Sequence, residues 1–130
     1  MPASPRFSAG RNIAMKVPPH AYDETVRFYR DVLGLPQLPE HLPSVVFEFG
    51  HNQLWIDRVP GLSQAETWLE IRTTDLASAD RHLATAGVVR CDEIEPLPDG
   101  FQAFWVSSPA SIIHLVREEK PSHEQQEQTP

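Results

Sequence analysis

The feature that most constrains this chain is an element order that occurs twice. In "YDETVRFYRDVLGL", Val26, Tyr29 and Leu33, with Phe28 and Val32, recur at the 3.6-residue spacing of an amphipathic helix. Asp23 stands where a cap belongs, and Gly34 ends the stretch. In "TTDLASADRHLATAGV", Thr74 or Asp75 caps, Leu76, Ala79, Leu83 and Ala86 form a narrower stripe, and Gly87 ends it. The strand "NIAMKV" precedes the first helix. A short edge strand limited by Pro36, Pro39 and Pro43, then "SVVFEF" and "QLWIDRV" around the turn Gly50-His51-Asn52, follow it. "WLEIRT" precedes the second helix, and "CDEIEPL", "FQAFWVS" and "SIIHLV" follow. None of the 13 prolines falls inside a predicted helix. A single ferredoxin-like domain has two strands between its helices and one after the second, so three and three exclude it. The pattern predicts an α+β fold of two βαβββ modules in tandem, each helix lying on one face of a mixed sheet.

Size and charge set the outer bounds. A chain of 130 residues, 40% of them apolar, suits one domain, expected over residues 11–117, with module one at about 11–59 and module two at about 66–117. Residues 1–10 and 118–130 are expected as tails, the second of them disordered. The start has no apolar stretch of the signal-peptide kind, and no run approaches membrane-spanning length, so no membrane partner is expected. The one cysteine, Cys91, excludes an internal disulfide and fits a reducing cytoplasm. Net charge is −7; Glu118, Glu119, Glu124 and Glu127 against Lys120 put −3 of it in the C-terminal tail and leave −4 for the body. A nucleic-acid binder wants a basic face, so no nucleic-acid partner is expected.

At "VRFYRDVLGL" the sequence resembles the glyoxalase, bleomycin-resistance and ring-cleavage dioxygenase superfamily, the vicinal oxygen chelate proteins. "FY-x-x-x-LG-L" is that superfamily's commonest signature, "TTDLASADRHLATAGV" resembles its second-module helix, and "WVSSPASIIHLV" lies where it has an aromatic, a turn and an apolar strand. The resemblance covers about residues 11–117. It implies that the sheets of the two modules curl around a cleft with the helices outside, and that the chain forms a homodimer. Metal-containing members place four ligands in the cleft, on the first and last strands of each module. Those positions fall here on Asn12, Trp55, Trp68 and His114. Asparagine is a weak ligand and tryptophan is none, so neither a metal nor another cofactor is expected.

Strand alternation offers a separate reading. If Leu54 and Ile56 pack under the helices, Trp55 and Asp57 face the other way; likewise Leu69 and Ile71 leave Trp68, Glu70 and Arg72 opposite. Phe104 and Val106 inward place Trp105 with Ser107, while Ile113 and Leu115 inward place Ile112, His114 and Val116 on the cleft side. Asn12, Ala14 and Lys16 join them. The expected ligand-binding set is therefore Asn12, Trp55, Asp57, Trp68, Glu70, Arg72, Trp105 and His114, with His114 the one catalytic candidate. His20, His41, His51 and His123 stand in loops, a turn and a tail where solvent is the default, and His82 on a helix surface. Three functions remain open. One is a binding protein of the bleomycin-resistance type, holding a small flat organic molecule between indoles. Another is a metal-independent lyase or isomerase with His114 as acid or base, oriented by Asp57 or Glu70, or else a metal-dependent lyase or dioxygenase of the superfamily that the sequence resembles. The last is a dimeric scaffold whose cleft the tryptophans plug.

Overall fold

The computed structural model describes residues 5–119, and the doubled order is present in it. Strands β1 (Phe7–Ala9) and β2 (Asn12–Val17) lead to helix α1 (Pro19–Arg27), then β3 (Val45–Phe49) and β4 (Asn52–Arg58). Strand β5 (Glu66–Thr73) leads to α2 (Leu76–Thr85), β6 (Val89–Arg90), β7 (Ala103–Ser107) and β8 (Ile113–Glu118). Residues 10–69 form one compact unit; residues 5–9 with 70–119 form another. The division falls inside β5, because its first residues pair with β2 while its last pair with β1.

In the first unit the strand order is β3-β4-β2-β5. Strands β2 and β4 run parallel, and the other pairs run antiparallel. The expected short edge strand is a single bridge, Gln37 to Phe47. Val17, Phe47, Leu54 and Ile56 come from alternate strand positions and pack with Val26 of α1 into the core. Phe47 is fully buried, and replacing such a ring by alanine costs about 3–5 kcal/mol. The second unit repeats the order as β5-β8-β7-β6, with β1 on β5. Its core joins Ala79 of α2 to Phe104, Val106 and Val116.

Several local expectations are corrected. Helix α1 starts at Pro19, not after Asp23: Pro18 is its N-cap without a side-chain bond, and a proline in the first turn loses no helical hydrogen bond. After Arg27 the chain makes a π-helical turn, Phe28–Val32, closed by Leu33 N–H donating to Phe28 O at 2.9 Å. Its wider period breaks the 3.6-residue stripe. Tyr29 stays on Phe47, with ring centroids 6.0 Å apart, whereas Phe28, Leu33 and above all Val32, 69% accessible, point outward. Gly34 and Gly87 do end the two helices, at φ of +68° and +85°. Asp75 caps α2 by accepting from Ser78 N–H at 3.1 Å.

"CDEIEPL" does not extend as a strand. Only Val89–Arg90 pair, and a 3-10 turn, Asp92–Ile94, follows. There Asp92 Oδ1 accepts the Trp105 backbone N–H at 3.0 Å and the same side chain holds Arg90, so side-chain bonds replace the ladder. Residues 7–9, expected within a tail, are strand β1. Glu118 belongs to β8, and Glu119 N–H donates to Thr73 O at 2.6 Å. The rest of the expected C-terminal tail, and residues 1–4, lie outside the described residues. Leu69, expected under the helices, is 39% exposed, since α1 lies over β2 and β4 and α2 over β8. Among the described residues no helix is long and apolar enough to cross a membrane.

Candidate functional site

Alternation along β2 and β4 builds the site. Ile13, Met15 and Val17, with Leu54 and Ile56, go to the core, which leaves Asn12, Ala14 and Lys16 with Trp55 and Asp57 on the opposite face. The register aligns these residues in rows. Ala14 is the partner of Trp55 in β4 and of Trp68 in β5, so an alanine stands between two tryptophans. In the next row Lys16 lies between Asp57 and Glu66.

Each polar tip in these rows is engaged. Trp55 Nε1–H donates to Asn12 Oδ1 at 2.8 Å, and Trp68 Nε1–H donates to Glu66 Oε1 at 2.9 Å. Lys16 is 4% exposed; its Nζ sits 2.8 Å from Asp57 Oδ2 and 4.3 Å from the centre of the Trp68 ring. A buried ammonium needs such partners, because an uncompensated charge in a low-dielectric site costs several kcal/mol. Trp68 is 8% exposed and Trp55 half-buried. With their N–H groups bonded both rings are fixed, and each ring already has a neighbour, Lys16 over Trp68 and His41 beside Trp55.

His41 belongs here, and sequence reasoning placed it in solvent. Its ring centroid is 4.8 Å from that of Trp55 at a tilt of 49°, and its Nε2 is buried without a hydrogen-bond partner. The loop that delivers it is pinned to β3: Leu38 N–H donates to Val46 O at 2.8 Å and Glu48 N–H to Pro36 O at 2.9 Å. The prolines at 36, 39 and 43 were the available signal, since a loop so restricted presents its side chains in fixed directions.

The other four expected residues lie in the second unit. Glu70, buried, pairs with Arg117 (Nη1 to Oε2, 3.2 Å), whose guanidinium also lies 4.9 Å from the Phe101 ring. Arg72 Nε is 3.9 Å from Glu70 Oε1, within ion-pair reach but too far for a hydrogen bond. Trp105 is 5% exposed, and its Nε1–H donates to Glu95 O at 2.9 Å, inside its own unit.

His114 is the clearest correction. Val106 is its partner in β7 and Phe104 is the partner of Val116, and Phe104, Val106 and Val116 pack on Ala79 of α2. Alternation therefore puts His114 on the helix-covered face of its sheet, with Nδ1 2.9 Å from Ile112 O. "SIIHLV" has apolar residues of both parities, so its pattern alone allowed either face. The β7–β8 connection, where Ser111 adopts a φ of +64° and Ser108 N–H donates to Ile112 O, sets the register that decides it.

The four positions where the superfamily holds a metal thus carry an amide bonded to an indole, two indoles, and an imidazole turned to the other side of its sheet. That donor set does not suit a catalytic divalent ion, which takes three or more nitrogen, oxygen or sulfur ligands. Among the described residues no group of three His, Cys, Asp or Glu side chains is placed to hold one.

No family model matches the chain, and no curated protein sequence matches it. Solved structures do. The Mn(II)-bound glyoxalase from Novosphingobium aromaticivorans superposes with a TM-score of 0.61 at 19% identity over 88% of this chain, which spans 40% of that one. Methylmalonyl-CoA epimerase from Mycobacterium tuberculosis gives 0.57 at 14% identity over 96% of this chain and 97% of that one. A glyoxalase/bleomycin resistance protein/dioxygenase superfamily member from Vibrio splendidus gives 0.55 at 12% identity, over 86% and 100%. At such identities the likeness is one of fold: the chain has the vicinal oxygen chelate fold.

Proposed function

We propose that the chain is a metal-independent small-molecule binding protein that holds a flat organic molecule against the indoles of its first unit. The observation that carries this reading is the row Trp55–Ala14–Trp68. Two strand spacings separate the tryptophan backbones by about 10 Å. A ring held between two indoles needs planes about 7–8 Å apart, twice the carbon contact distance. Alanine at the middle position adds only a methyl group between them. The bonds from Trp55 to Asn12 and from Trp68 to Glu66 orient both rings before a ligand arrives, which lowers the entropy lost on binding. Asn12, Trp55 and Trp68 form the proposed contact set, with Lys16 and Asp57 as a neutral floor beside it. The names of the fold neighbours, a Mn(II)-bound glyoxalase, a methylmalonyl-CoA epimerase and a glyoxalase/bleomycin resistance protein/dioxygenase superfamily member, are compatible with a small organic ligand. A lyase or isomerase resting on His114 needs that imidazole on the uncovered face of its sheet, and the register of β7 and β8 puts it on the other.

The test is a titration of indole fluorescence with planar aromatics of both charge signs, proflavine and a naphthalene sulfonate among them. A member of the panel should quench saturably, with a dissociation constant in the micromolar range, about −8 kcal/mol. Trp55→Ala should weaken it by about 1–3 kcal/mol, one stacked face and its buried area. Saturable quenching that Trp55→Ala leaves unchanged, or none from any panel member, would replace this reading by that of a plugged scaffold.

A further inference from the structure

The second unit carries a cavity of about 170 Å³, lined by Arg6, Phe7, Ser8, Arg72, Thr73, Thr74 and Glu119. It forms where β1 pairs with the end of β5, with Phe7 opposite Thr73 and Ser8 opposite Arg72. Two arginines, Arg6 and Arg72, are among its lining residues. Arg6 makes no ion pair among the described residues. Arg72 Nε is buried without a hydrogen-bond acceptor, its nearest carboxylate oxygen, Glu70 Oε1, standing off at 3.9 Å. Glu70 is itself committed at closer range to Arg117. A buried guanidinium N–H without an acceptor costs free energy that an incoming anion recovers, and a planar fork of donors matches an oxyanion. Against this stands Glu119, also a lining residue; two arginines and one glutamate still sum to one positive charge. At about 30 Å³ per water in the liquid, the volume holds about six waters, room enough for a small oxyanion and some of its hydration.

We infer that this cavity is a binding site for a small oxyanion, a phosphate or a carboxylate, held between Arg72 and Arg6. None of its residues belongs to the indole row, so the site stands or falls apart from the proposed ligand. The backbone on both sides is already fixed, Thr74 N–H donating to Arg6 O at 3.3 Å and Glu119 N–H to Thr73 O. Ser8, Thr73 and Thr74 are also among the lining residues, and a hydroxyl can donate to either anion.

The experiment is calorimetric titration of the full chain with inorganic phosphate and, separately, with acetate, in a buffer of fixed ionic strength without other oxyanions. Saturable binding of at least one is expected, and the tighter of the two names the class. Arg72→Gln should weaken it about tenfold or more, Arg6→Gln by a smaller factor, and Arg72→Lys should restore only part, since charge returns without the fork. Arg90→Gln, which removes a guanidinium paired with Asp80 and Asp92 elsewhere, should change nothing. If Arg72→Gln fails to fold, Arg6→Gln on exposed backbone carries the test alone. No heat from either anion up to about 10 mM, or equal binding by wild type and the Arg6 and Arg72 variants, overturns the inference.

Discussion

Replacing Trp68 with alanine separates what this indole does for the fold from what it does for a ligand. Trp68 is 8% exposed, donates to Glu66 and lies under the Lys16 ammonium. A tryptophan buries about 200 Å² of surface, which at about 25 cal/mol per Å² gives an upper bound near 5 kcal/mol. Large-to-alanine changes at buried rings fall at about 3–5 kcal/mol, and the lost cation–π contact adds to the cost. We expect a loss of about 3–5 kcal/mol, a fall of about 10–20 °C in Tm for a chain of this size. Urea denaturation followed by circular dichroism measures it, with an unchanged slope showing that the unfolded reference is the same. Trp68→Phe, which keeps a ring but not the N–H bond, should lose far less, about 1–2 kcal/mol. A loss below about 1 kcal/mol for Trp68→Ala would show that the ring is not packed as described, and the row with Trp55 would lose its anchor.

Other outcomes follow from the same structure. Purified protein should carry no stoichiometric transition metal by elemental analysis; about one ion per chain, lost on His114→Ala, would contradict the donor-set argument. Asp75 has its carboxyl held below the usual range by the Ser78 backbone N–H and then by the Ser78 hydroxyl. A depressed folded value means stabilisation that is complete above the unfolded pKa of about 3.9 and is lost as pH falls through the folded one. Asp75→Asn should therefore flatten the acid limb of Tm against pH, and an unchanged limb would refute the linkage. We propose a homodimer that covers the exposed Phe28, Val32 and Leu33: sedimentation should give twice the chain mass at micromolar concentration, and Val32→Glu should weaken the dimer. A monomer mass for the unmodified protein would count against it.

The doubled order was legible because each of its signals is local. A 3.6-residue stripe ending at glycine reads as a helix, and "LWID" or "WLEIR" reads as a strand with one covered face. Asn12, Trp55 and Asp57 share the face away from the core for that reason: Leu54 and Ile56 fix the parity. What sequence could not settle depended on something nonlocal. The face of His114 is set by the hairpin at Ser108–Ile112 and by Val116 meeting Ala79 of α2, thirty-seven positions earlier in the chain. The π-turn at Phe28–Val32 changes the period of a stripe whose composition is unremarkable. His41 reaches Trp55 only because a proline-restricted loop is bonded to β3, and β1 exists only as a partner for β5.

A flat ligand held against the Trp55–Ala14–Trp68 row would shift the indole N–H resonances in a two-dimensional nitrogen–proton spectrum. The Trp55 and Trp68 signals are assigned with the Trp55→Phe and Trp68→Phe variants and followed during titration with the tightest aromatic of the panel. Both signals should move together and saturate at one dissociation constant, because the two rings flank one ligand. If both stay in place while the ligand is demonstrably bound, or if every panel member leaves them unmoved at millimolar concentration, the indole row is not the binding site.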